Sequence, residues 1–358
     1  MGFKPFGLVI MFVTLASPSA AQVKFGSTLT LTGSVAQYGL NARDAMELAK
    51  DEVNSQGGIN GQYLKIIYED FGEVDLKRAA SAAQKLISID RVAALLPIVT
   101  EDAQVVHPIA SRAGIITMAI FAGDANLTKG KSLLYQVSSS DESLIEKLVD
   151  YAVAQGKPKL CVLSEESPYG APLAAYILDY SIALGLTTPA HLEYPAHATD
   201  FRSFLAKLRA THCQSLVLII PPMRQGTALR QMAQLRWRPL ILGLETSDDR
   251  HVLAEAGTST EDVVYVKYMR GTSEFKESFK KRFGREAELP AALAYDAVMV
   301  LAAAMNKAGT SGKAVAEHMD SIVEFPGASG VIRFKDGTRT ERPVELWTIR
   351  KGQQMRIE

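Results

Sequence analysis

The chain has 358 residues, 47% apolar and 22% charged, the balance of a soluble globular protein too long for one compact core and suited to two domains. Thirty-nine basic residues against thirty-nine acidic leave no net charge, which argues against nucleic acid as a partner, because that needs a concentrated basic surface. Six scattered histidines and two cysteines offer little material for a metal centre or a disulfide scaffold.

Residues 1–21 read as a secretory signal: Lys4 is the positive end, Phe6–Leu15 the apolar run and Ser17–Ala21 the small-residue exit. The run is shorter than the ~20 residues a spanning helix needs. A cut after about Ala21 and an exported mature chain are expected, and with no cysteine following the cut a lipid anchor is disfavoured. An apolar strand, Val23–Leu31, then breaks at Thr32-Gly33-Ser34. In the helix that follows, Ala42, Ala45, Met46, Ala49 and Val53 recur at three- and four-residue spacing and predict one buried face. Gln56-Gly57-Gly58 stops it, and a second strand, Tyr63–Glu69, completes a βαβ unit that predicts a parallel sheet.

The alternation continues with helix Val74–Ile89, strand Val92–Leu96, a helix from Thr100 to Arg112 and strands Ile115–Ala119 and Leu133–Val137. Ser138-Ser139-Ser140-Asp141 reads as a crossing into a second lobe, where helices and strands alternate again from 142 to Val266. Helices Glu274–Phe283, Leu289–Ala308 and Lys313–Ser321 follow; Val331–Phe334 and Glu345–Ile349 then read as a closing hairpin around Asp336-Gly337. The expected class is α/β, with two doubly wound three-layer lobes.

Several stretches resemble the Leu/Ile/Val-binding proteins, the periplasmic solute-binding components of ABC transporters for branched-chain amino acids and related solutes. They are Thr30-Leu31-Thr32-Gly33, Ala36-Gln37-Tyr38-Gly39, Val53-Asn54-Ser55-Gln56-Gly57-Gly58-Ile59-Asn60-Gly61 and Tyr68-Glu69-Asp70. Ser167-Pro168-Tyr169-Gly170, Thr199-Asp200-Phe201, Leu242-Gly243-Leu244-Glu245 and Ala294-Tyr295-Asp296-Ala297 extend the likeness over nearly the whole mature chain. The resemblance implies a type I periplasmic binding fold whose lobes are joined by a three-strand hinge. Lobe 1 would hold 22–138 with about 270–326, and lobe 2 would hold 139–269 with about 327–358. It implies a non-enzymatic, monomeric protein without cofactor that closes on an amino acid or derivative and delivers it to a membrane permease in the periplasm. A sensing module of the same fold, acting through a receptor partner, is the alternative.

In open α/β sheets ligands bind outside the carboxyl ends of strands, so the candidate loops are 32–38, 97–102 and 120–124, with 164–169, 221–225 and 243–248 facing them. By resemblance Thr100 and Glu101 occupy the clamp for the ligand carboxylate, and Ala122, Gly123 and Asp124 its second segment. Glu245 matches the acid that takes the ammonium, and Tyr38, Tyr169 and Tyr295 match aromatic walls. Plainer readings stand beside these: Thr100 as a helix cap, Glu101 and Asp102 as complements of the helix dipole, Asp124 as a turn former, Tyr295 as core. The family's run of serines is replaced here by Ile98-Val99-Thr100-Glu101-Asp102. Acids beside an incoming carboxylate weaken its attraction, which leaves open a ligand with an extra cationic or amide group, or pairing of these acids with Arg224 or Lys267. The family's first-lobe disulfide, aligned near Phe71 and Val99, is absent. Cys161 and Cys213 sit at the edges of apolar strands, as buried thiols or a bridge. No nucleophile elbow, zinc helix, Walker loop or dinucleotide fingerprint is present.

Overall fold

The computed structural model describes residues 22–73, 75–335 and 339–357, so the expected secretory signal and the Asp336-Gly337 turn lie outside the described residues. The first lobe is built on β1 (Gln22–Leu29), β2 (Tyr63–Asp70), β3 (Ala94–Pro97), β4 (Ile116–Ala119) and β5 (Leu134–Ser139). They lie parallel in the order β5-β4-β3-β1-β2, with α1 (Ala36–Ser55), α2 (Leu76–Ser88) and α3 (Thr100–Arg112) as crossovers. The predicted stripe of α1, from Ala42 to Val53, is buried throughout.

At Ser140 the chain passes to the second lobe. Helix α4 (Asp141–Ala154) leads to β6 (Lys159–Glu166), α5 (Gly170–Ala183), β7 (Thr187–Pro195), α6 (Arg202–Ala210), β8 (Ser215–Ile219), α7 (Pro222–Gln234) and β9 (Leu240–Gly243). Two 3-10 turns, Glu245–Asp248 and Gly257–Thr260, flank the short α8 (Arg250–Ala256) before β10 (Val264–Lys267); the sequence pattern shows none of them. The chain then returns to the first lobe as α9 (Ser273–Phe283), α10 (Ala291–Ala308) and α11 (Gly312–Met319). Helix α10 is long and apolar enough to span a membrane, but it packs along α1 with Leu293, Val298, Leu301 and Met305 in the first-lobe core. Truncating such a side chain to alanine costs about 2–5 kcal/mol.

The closing segment departs from expectation. Val331–Phe334 does not pair with Glu345–Ile349. Instead β11 (Phe325–Gly327), β12 (Gly330–Lys335) and β13 (Arg339–Glu341) form an antiparallel run whose last strand joins β5 and extends the first sheet. Only β14 (Glu345–Arg350) and β15 (Gln353–Arg356) belong to the second sheet, of order β15-β14-β10-β9-β8-β6-β7. The third crossing therefore falls after β13, not near 326, and the strands from 327 to 341 sit in the first sheet rather than the second. Cys161 and Cys213 are buried free thiols in the second-lobe core that packs against α6 and α7, with Cys161 Sγ 3.2 Å from Thr211 Oγ1.

Candidate functional site: an acidic cleft between the lobes

The carboxyl ends of both sheets face one cavity of about 210 Å³. On the first-lobe side, Gly39 sets the geometry: a Cβ there would sit 2.2 Å from the Thr30 carbonyl oxygen, so only glycine lets the first turn of α1 rest on the end of β1. That contact delivers Tyr38 into the cleft. Its ring stacks on Phe121, with centroids 6.3 Å apart and planes 10° from parallel. Its hydroxyl donates to Asp249 Oδ2 at 2.7 Å, a direct bond between the lobes, and burial together with this carboxylate holds the phenol protonated.

The amino end of α3 supplies the polar part of this wall. Val99, in the N-cap position, has no hydroxyl, and Asp102 takes over the capping. Its Oδ1 accepts from the Val99 amide at 2.8 Å; its Oδ2 accepts from the Ile98 amide at 3.0 Å and the Thr28 hydroxyl at 2.7 Å. Burial raises the Asp102 carboxyl to about 7 although these bonds pull it down. Asp102 is thus structural, and Thr100 is released from capping. Thr100 is 2% exposed, lines the cavity, and its Oγ1 has no partner among the described residues.

The second lobe contributes a longer apolar wall, Leu218 to Met223 at the β8–α7 junction, and three acids join Glu101 around it: Glu165, Glu245 and, from the first crossing, Asp141. Asp141 accepts from the Tyr169 hydroxyl at 2.6 Å and donates its amide to the Gly123 carbonyl at 2.8 Å. A Cβ on Gly123 would meet the Asp141 carboxylate at 2.2 Å, so the pairing needs glycine. Burial raises Asp141 to about 6, opposed by the Tyr169 bond and helped by Asp124. Glu245 is 8% exposed and no hydrogen bond reaches its carboxylate among the described residues; burial lifts it to about 7 against the pull of Arg270. Burial also raises Glu101 and Glu165, the latter opposed by its ion pair with Arg224. Among the described residues no lysine, arginine or histidine lines the cavity.

Of the residues expected here, Tyr38, Thr100, Glu101, Gly123, Tyr169 and Glu245 meet around the cavity. Ala122 lies just behind it, fully buried, its amide donating to Ser138 Oγ at 3.1 Å. Asp124 faces a neighbouring surface depression and caps a turn through the Asn126 amide at 2.8 Å. Tyr295 is not part of the cleft: it sits on the outer side of the first lobe, bonded to Glu52 and packed edge-on to Phe275 at 5.3 Å. The pairing of Glu101 and Asp102 with Arg224 or Lys267, which the sequence leaves open, does not occur among the described residues. Arg224 engages Glu165, while Lys267 bonds Asp248 at 3.1 Å beneath the Trp347 ring. Sequence reasoning missed Asp141 and Phe121, although Phe121 lies in a loop it singled out and Asp141 closes the serine run read as a crossing. Among the described residues no group of His, Cys, Asp and Glu could hold a metal.

A family model described as periplasmic binding protein matches residues 22–354. The chain belongs to the periplasmic binding protein family. It is a binding protein and not an enzyme, and its two α/β lobes have the type I fold of that family. It is 28% identical over 302 residues to the Leu/Ile/Val-binding protein homolog 8 of Brucella abortus (strain 2308), covering 78% of this chain and 74% of that one. In fold it is similar to the leucine-binding protein LivK of Thermotoga maritima MSB8, with a TM-score of 0.86 at 20% identity over 94% of this chain and 98% of the other. It is also similar in fold to an R. palustris ABC-transporter solute-binding protein solved with 4-hydroxybenzoate, with a TM-score of 0.84 at 15% identity over 94% of this chain and 96% of the other. One periplasmic binding fold therefore serves an amino acid and an aromatic acid, and the lining side chains must decide the ligand.

Proposed function

We propose that this chain is the exported solute-binding component of an ABC importer. It captures an amino acid or amino-acid derivative between its lobes and hands the closed complex to a membrane permease. The lobes move about the connections at 139–141, 268–272 and 342–344, and the mature chain starts after about Ala21. One observation carries the reading: the interlobe cavity sets the Glu245 carboxylate of one lobe against the Thr100 hydroxyl and helix amino end of the other, neither side chain having a hydrogen-bond partner among the described residues. An ammonium group suits the first and a hydrogen-bond acceptor the second, while Tyr38, Phe121 and the Leu218–Met223 wall take an apolar body. Four acids and no base in the lining favour a solute of zero or positive net charge and disfavour dicarboxylates and simple carboxylic acids.

The test is a thermal-shift panel on protein refolded from denaturant, which strips carried-over solute. It would contain the twenty amino acids, their amides, polyamines and aromatic acids. A solute at about 100 times its Kd adds roughly 2.7 kcal/mol of stability, several degrees in a chain of this size. Hits are expected among neutral or cationic ammonium compounds. Silence across the panel, or hits confined to glutamate, aspartate and benzoates, would overturn the reading.

A further inference from the structure

Behind Glu245 lies a second, smaller chamber of about 20 Å³, which all three connections between the lobes help to line: Ser139 from the first, Arg270 from the second and Arg342 from the third. Arg342 is 7% exposed. Its Nη1 reaches Thr340 Oγ1 at 3.4 Å, but its Nε and Nη2 have no partner among the described residues. The acid with the strongest pull on it, Asp296, is already committed to the amides of Ala328 and Ser329 and to the Ser329 hydroxyl. Arg270 spends Nη2 on Asp248 at 2.6 Å and on the Glu245 carbonyl, and its Nε has no partner among the described residues. Ser139, 3% exposed, likewise leaves Oγ without a partner.

The fourth side is the amino end of α10, eighteen residues long. The amides of Ala291 and Ala294 are bound to the carbonyls of Glu288 and Pro290, which leaves those of Ala292 and Leu293, both lining the chamber, without a backbone acceptor. Unsatisfied amides at a helix start favour negative charge. The buried Arg342, with two idle N–H positions, and the half-buried Arg270, with its Nε idle among the described residues, favour it further, because a buried donor left unpaired costs about 1–3 kcal/mol.

We propose that this chamber is a site for one small inorganic anion of halide size, held by Arg342, Arg270, the Ser139 hydroxyl and the Ala292 and Leu293 amides. Its volume exceeds the ~10–15 Å³ that a water-sized occupant needs, without room for a much larger one. Burial disfavours the charge on Arg342, and an anion beside it restores the balance. Glu245 lines both cavities, so the anion sits behind the acid assigned above to the solute, and it cross-links the three connections about which the lobes turn.

The experiment uses mature protein without any added solute, so its outcome is independent of the panel above. Protein refolded into sodium methanesulfonate is titrated with bromide at constant ionic strength while its melting temperature is followed, and crystals grown in bromide are measured at the bromine absorption edge. The expected result is a melting temperature that climbs with the logarithm of bromide concentration and an anomalous peak beside Arg342. The climb is lost in Arg342→Gln and reduced in Ser139→Ala, a smaller change that keeps the result readable if the arginine variant does not fold. No bromide dependence with no anomalous peak would overturn the proposal and assign the chamber to water. A shift produced by formate but not by bromide would also overturn it, because the chamber would then belong to the carboxylate of an organic solute.

Discussion

Replacing Glu245 with glutamine should stabilise the empty protein while crippling the loaded one. In the fold the carboxyl is lifted from its ordinary 4.5 to about 7, with burial as the largest cause. At ~1.36 kcal/mol per pKa unit this is about 3 kcal/mol of strain carried by the ionised form. An acid whose folded pKa is raised holds, between about 4.5 and 7, a proton that the unfolded chain has lost. Stability therefore falls as pH rises through that window, and the whole cost is present above it. Glu245→Gln should remove this slope, giving no gain at about pH 4 and up to about 3 kcal/mol at about pH 8, some 4 °C in melting temperature. A charged hydrogen bond to an ammonium contributes about 1.5–3 kcal/mol, so the same variant should bind its solute roughly 10- to 150-fold more weakly. Affinity in the native protein should fall about tenfold between pH 8 and pH 6, as Glu245 takes up its proton. Urea unfolding at the two pH values and calorimetric titration with the solute found in the panel measure both effects. If Glu245→Gln lowers stability at about pH 8 or binds as tightly as the parent, Glu245 is a structural acid and the ammonium site lies elsewhere.

Three further substitutions probe neighbouring claims. Tyr38→Phe keeps the stack on Phe121 but removes the 2.7 Å bond to Asp249, and it should weaken solute binding about 10-fold or more by destabilising the closed arrangement. Small-angle scattering of the loaded variant should show a wider mean separation of the lobes, and an unchanged profile with unchanged affinity would count against closure through this bond. Asp102→Asn leaves one acceptor where two oxygens now receive the Thr28 hydroxyl and the Ile98 and Val99 amides, so unfolding should become easier by about 1–3 kcal/mol. Tyr295→Phe should leave solute affinity untouched, because its hydroxyl serves Glu52 on the far side of the first lobe; a loss of affinity would restore it to the cleft.

What could be read without coordinates was what depends on near neighbours in the chain. The α1 stripe, the Gly57-Gly58 stop and the alternation of strands with helices follow from spacing and from local conformational preference, and each appears where expected. The loops at strand ends were legible for the same reason, since the direction of a parallel strand fixes which loop faces the cleft. Strand pairing was not. Nothing in Val331–Phe334 distinguishes a partner at Glu345–Ile349 from one at Arg339–Glu341, because the choice is made by the free edge of β5 in a distant part of the chain. Tyr295 failed similarly: an aromatic residue on an apolar helix can face either way, and α1 with Glu52 decides it.

The acids separate the two kinds of information most clearly. Asp102 and Asp141 each lie in the first turn of a helix, where an acid complements the dipole. One closes on its own backbone and disappears into the first lobe. The other, because Gly123 leaves room and Tyr169 reaches across, becomes part of the solute wall. Arg342 and Arg270 show the same dependence with opposite charge. In the sequence they are ordinary basic residues in polar segments, and only the convergence of three connections draws them together and leaves Nε of both and Nη2 of Arg342 without partners among the described residues. A cleft without bases in its own lining thus has two arginines directly behind its central acid. The charge at Glu245 is then set by both cavities together, so removing the anion from the rear chamber should lower the Glu245 pKa.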